Sequence, residues 1–151
     1  QKLNYFEVET QERAKIVVNH FLEENKPYIL FSLANYEYIL IIDNGKNYIE
    51  KLVLYDKNDL IKLISNTKIN KPNDFFKDAF DTNNYHQGFI NFSSDFFNGY
   101  EVTAHGGTTY FVMYDSEKNK YGESFLSLLV DPNPINKKLY GYLAQKIIDS
   151  D

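Results

Sequence analysis

Cysteine is absent from the 151 residues, which excludes a disulfide framework, a thiolate metal site and a cysteine nucleophile. Tryptophan is also absent, and histidine occurs three times, at His20, His86 and His105. These histidines are far apart, and neither His-Glu-x-x-His nor His-x-His occurs, so no metal and no cofactor is expected. Arginine occurs once, as Arg13. Sixteen Lys and Arg stand against 21 Asp and Glu, for a net charge of −5 and a pI near 5.2. Nucleic-acid binding leaves a basic footprint that neutralises phosphates. None is present, Lys137-Lys138 being too short, so no nucleic acid is expected. An anionic membrane surface would be repelled as well.

Long apolar runs are missing. No stretch of about 20 apolar residues exists, so no transmembrane segment is expected, and the start has no signal-peptide apolar region. The chain begins at Gln1 without methionine. That start is read as the mature end of an exported, periplasmic-type protein; the alternative is a boundary within a longer, cytoplasmic sequence.

Catalytic motifs are incomplete. His105-Gly106-Gly107 has the composition of an esterase oxyanion element, but its companion Gly-x-Ser-x-Gly is missing, and Gly122-Glu-Ser-Phe-Leu126 fails at the last position. A Gly-Gly turn between two strands accounts for the same residues. Asp115, Glu117 and Asn119 alternate like the first ligands of a calcium loop. The sixth position has no glycine, and Leu126 stands where a bidentate glutamate belongs, so a polar hairpin turn is the better reading. Glycine-rich phosphate cradles are absent. Asn91-Phe-Ser93 matches a glycosylation acceptor that matters only in a eukaryotic secretory setting.

Aromatic residues are abundant, with 13 Tyr and 12 Phe. Their excess alongside Lys, Asn and Ile fits an AT-rich genome. Even so, not every ring can be interior in a chain of this size, and tyrosine is enriched at interfaces.

Ala14, Val17, Val18, Phe21 and Leu22 fall at i, i+3, i+4, i+7 and i+8, the stripe of an amphipathic helix. Thr10 is the expected N-cap and Pro27 the stop. Tyr28–Ala34, Tyr36–Ile42 and Tyr48–Tyr55 read as strands. Asn44-Gly45 is expected to form a type I′ turn with positive φ at both positions. Leu60, Ile61, Leu63 and Ile64 suggest a short helix capped by Asp56 or Asn58, followed by a polar connector from Ser65 to Lys71. Phe75–Phe80 reads as a second short helix. Tyr100–His105 and Thr108–Tyr114 are expected strands around Gly106-Gly107. A polar turn at Ser116–Lys120 leads into a last strand, Tyr121–Val130. Asn133 and Pro134 then open a C-terminal helix lined by Ile135, Leu139, Tyr142, Leu143 and Ile147.

Segregated strand and helix runs, with tight turns between strands, predict an α+β fold. The expectation is a single domain with a mainly antiparallel sheet of about 5–6 strands and N-terminal and C-terminal helices packed on it.

The functional expectation is a non-catalytic binding protein whose partner is another protein, possibly basic. A bacterial toxin-neutralising immunity or inhibitor protein is the concrete form, and the oligomeric state is left open. The nominated recognition face is the aromatic, amide-rich stretch Tyr85–Tyr114, with Tyr85, His86, Asp95, Tyr100, His105 and Tyr110 as candidate binding residues. Buried phenylalanines rimmed by tyrosines would explain the same composition. The competing class is a small-ligand-binding or hydrolytic domain. It would have a pocket between sheet and helix near His86, Asp95 and His105, where an acid–base pair could form.

Overall fold

The computed structural model describes residues 5–22, 25–33, 37–55, 58, 60–71, 74–82, 109–126 and 145. Their order is α1 (Tyr5–Phe21), β1 (Tyr28–Leu33), β2 (Glu37–Asp43), β3 (Asn47–Tyr55), β4 (Ile61–Asn70), α2 (Asp74–Phe80), β5 (Thr109–Tyr114) and β6 (Lys120–Leu126). The six strands form one sheet in the order β4-β3-β2-β1-β5-β6, with every described pairing antiparallel. The fold is thus α+β with an antiparallel sheet. The expected strand at Tyr100–His105, the end of the last expected strand and, apart from the helical, exposed Gln145, the expected C-terminal helix lie outside the described residues.

The register sorts the side chains into two faces. Leu30 pairs with Leu40 and Val112, and Tyr38 with Val53. These five, with Tyr55 and Tyr110, form one apolar face onto which Ala14 and Val17 of α1 dock. Val18, Phe21 and Leu22 complete the helix stripe at its margin. Arg13, ion-paired with Glu9 one turn earlier, places its guanidinium 5.8 Å from the centre of the Tyr55 ring. The chain's one arginine therefore helps to pin α1 over β3.

The opposite face carries Ile29, Phe31, Ile39, Ile41, Phe111 and Met113, all essentially without exposure. On this side, Tyr48 of β3 meets Phe76 edge-on at 5.0 Å and stacks on Phe80 at 5.5 Å. The Tyr121 hydroxyl of β6 donates to the Ala79 carbonyl at 3.0 Å. α2 therefore makes contacts with strands that lie far apart in the sheet. Burial on both faces explains why β1 and β2 read as continuous apolar runs and not as alternating ones.

Three local expectations are corrected. First, α1 begins at Tyr5, and Thr10 lies within it, buried at 5% exposure. Thr10 is therefore not an N-cap. The turns before it expose Tyr5 and Val8, so no apolar stripe announced them.

Second, Leu60–Ile64 is not a helix. Ile61–Asn70 is a strand that also takes in the expected polar connector. A single isolated helical turn is marginal, whereas an extended chain here satisfies the backbone of β3 from Asn47 to Tyr55. Ile61, Ile64, Thr67 and Ile69 are β-branched and suit a pleated surface.

Third, the β2–β3 turn is not type I′. Asp43 pairs with Tyr48, and the Asn44 N–H donates to the Asn47 carbonyl at 2.9 Å. Gly45 and Lys46 are thus the central residues. Gly45 has φ +90°, and among the described non-glycine residues Lys118 is the one with positive φ. Glycine first, with positive φ there alone, is the type II′ pattern. Asn44 instead uses its side-chain oxygen to accept from Lys26, and Asp43 Oδ1 accepts from the Gly45 N–H at 3.0 Å.

Gly45→Val is expected to cost about 1–3 kcal/mol. A Cβ at Gly45 would meet no atom within 4 Å, so the penalty is one of backbone conformation alone. Urea denaturation of the two proteins checks it; an equal midpoint would show that the turn tolerates any residue.

Candidate binding surfaces

Tyr85, His86, Asp95, Tyr100 and His105 lie outside the described residues. Tyr110 is described, and its ring belongs to the core beneath α1, at 3% exposure. It is therefore not a surface tyrosine. Its N–H donates to the buried Ser32 hydroxyl at 3.0 Å, next to the Phe31–Phe111 pair. Its own hydroxyl donates to Glu123 Oε2.

Glu123 gathers a polar cluster between helix and sheet. Besides Tyr110, the Gln11 amide of α1 donates to Oε2 at 3.1 Å, and the Lys120 ammonium lies 3.0 Å from Oε1. Burial, then the hydrogen bond to Glu123 and its negative charge, push the Tyr110 phenol well above its ordinary value. Tyr28 is also pushed up, by burial first and then by Tyr114. Both phenols are neutral at ordinary pH.

A cleft opens beside this cluster, between α1, the start of β1 and the β5–β6 turn. Its volume is about 510 Å³, and its lining includes Lys15, Val18, Leu22, Tyr28, Tyr114 and Lys118. Tyr28 and Tyr114 face each other across paired strands and stack at 5.1 Å with 17° between rings. The turn is held by Asp115, whose Oδ1 accepts from the N–H groups of Glu117 and Asn119 at 2.9 Å each. Lys118 has φ 65° within it. Asp115, Glu117 and Asn119 thus form the polar hairpin turn expected in place of a calcium loop.

β4 is the second exposed feature. It stands at one end of the sheet and, among the described residues, pairs with β3 alone. Of its ten residues, Lys62, Leu63, Ile64, Asn66, Thr67, Lys68 and Asn70 are exposed. Leu60, just before it, is 65% exposed, and Ile64 is 48% exposed. The register skips Ile64, since Val53 faces Leu63 and Leu52 faces Ser65. Lys62 and Lys68 are its charged residues, and no acidic residue lies between Ile61 and Asn70. The lysines and the bulge are devices that discourage indiscriminate strand pairing.

Sequence reasoning missed both surfaces. The cleft is assembled from residues about a hundred positions apart, with no local motif. β4 lacks the alternation that betrays a half-buried strand.

No group of three or more His, Asp or Glu among the described residues could hold a metal ion. No described helix is long and apolar enough to cross a membrane. Comparison with family models gives no match, and neither curated proteins nor solved structures give one.

Proposed function

We propose that the protein is a binding protein that captures an extended segment of another protein by adding it as a strand beside β4. The observation that carries this reading is a ten-residue edge strand exposed along most of its length. Strand addition supplies affinity through main-chain hydrogen bonds and specificity through alternate side chains. Ile64 and Leu63 offer apolar contacts, and Lys62 and Lys68 favour acidic residues on the incoming strand. This local charge is opposite in sign to the net charge, so the segment sought here is acidic, even though the chain's overall charge points to a basic partner. Occlusion of a partner protein, as by an immunity or inhibitor protein, is one use of such a surface.

A displayed random-peptide library panned on the protein tests the proposal. Enriched peptides should alternate apolar and acidic residues. Lys62→Glu combined with Lys68→Glu should weaken them about tenfold or more, as expected for rim charges acting together. Both lysines are exposed, so the variant is expected to keep the parent's melting temperature. Peptides without acidic bias, or binding unchanged by the charge reversal, would contradict the reading.

A further inference from the structure

We propose that the cleft between α1 and the β5–β6 turn is a second, independent site, and that it takes a small organic anion with a planar apolar body. Its described walls pair apolar and cationic groups. Val18 and Leu22 of α1 and the stacked Tyr28–Tyr114 pair supply the apolar part. Lys15 reaches the cleft from the helix, Lys118 from the turn and Lys26 from the segment before β1, and among the described lining residues Asp115 is the one carboxylate. Asp115 is already engaged, since its Oδ1 accepts two turn N–H groups. Lys26 is oriented by donation to Asn44.

A planar ring laid on the tyrosine pair gains from offset stacking, and its anionic group would meet the lysines at the mouth. Pockets of about 300–1,000 Å³ hold ligands of drug-like size or smaller, and the cleft's 510 Å³ falls in that range. A smaller recess adjoining it, about 90 Å³, has Tyr110, Glu123 and Lys120 in its lining. It presents a carboxylate already paired with its neighbours. The anion therefore belongs at the lysine-lined mouth and the ring inward.

The test uses 2-naphthoate as the probe, with 2-naphthylmethanol as its neutral counterpart and 2-naphthylmethylammonium as its cationic one. Titration of the labelled protein is followed by NMR. The expected result is a dissociation constant of roughly 0.1–1 mM for the carboxylate, the affinity of a ligand this small. Its shifts should centre on Val18, Tyr28, Tyr114 and Lys118. The alcohol should bind about tenfold more weakly, and the ammonium more weakly still. Lys15→Gln with Lys118→Asn should cut carboxylate affinity about tenfold and leave the melting temperature unchanged. Asparagine is chosen at position 118 because it tolerates positive φ. Equal binding of the carboxylate and the alcohol, shifts centred elsewhere, or no effect of the double variant would overturn the proposal. Parent-like naphthoate binding in the Lys62→Glu/Lys68→Glu protein is also required, since the site is independent of β4.

Discussion

Phe111→Ala is expected to destabilise the protein by about 3–5 kcal/mol, the range for deleting a fully buried phenylalanine. Phe111 sits opposite Phe31 across β1 and β5, the rings 5.8 Å apart and 21° from parallel, and neither has measurable exposure. Both project to the sheet face away from α1, with Ile29, Ile39, Ile41 and Met113 also buried on that side. Alanine would leave a cavity in the middle of the sheet, where paired strands on both sides limit collapse. Since proteins are held by only about 5–15 kcal/mol, this variant should fall close to unfolding. Phe111→Leu preserves most of the volume and should lose less than half as much. Thermal and urea unfolding of the three proteins measure this. A loss below about 1 kcal/mol for the alanine variant would show that the site is not the packed centre described here.

The second large effect is alkaline destabilisation. The phenols of Tyr110 and Tyr28 are both raised, chiefly by burial. The unfolded chain releases these protons near the ordinary value of about 10, while the folded chain retains them. Above that pH the unfolded state binds fewer protons, so stability is fully present below about pH 10 and falls as pH rises. Each retained proton contributes a slope of up to about 1.4 kcal/mol per pH unit, so the pair could remove about 4 kcal/mol by pH 11.5. Urea midpoints between about pH 9 and 11.5, with tyrosinate absorbance followed alongside, measure the loss. Tyr110→Phe should flatten the slope, because its Glu123-bound hydroxyl no longer titrates. A slope identical in parent and variant would show that Tyr110 ionises as readily when folded as when unfolded.

Much of the fold was legible in the sequence where burial leaves a period. Ala14 and Val17 marked the docked face of α1, and Gly45 marked the β2–β3 turn even though the central pair is shifted by one residue. The Phe75–Phe80 run anticipated α2, which spans Asp74–Phe80. β4 was illegible because, among the described residues, it is an edge strand. With little of it buried, Leu60, Ile61, Leu63 and Ile64 matched a helical spacing as well as any other. The binding surfaces were harder still. Tyr110 resembled a rim tyrosine because Thr108, Thr109 and two glycines precede it. Its burial depends on α1, nearly a hundred residues away, and on Glu123. Pairing across that distance leaves no local trace.

The central claim is the proposal that β4, which among the described residues is an edge strand, takes up an acidic strand. Backbone-amide hydrogen exchange across Ile61–Asn70, with and without an acidic, alternately apolar peptide, tests it most directly. The account predicts fast exchange at alternate β4 amides in the free protein, those pointing away from β3, and slowing at those same amides when the peptide is bound. Protection of every β4 amide in the free protein, or peptide-induced protection that bypasses β4, would contradict it.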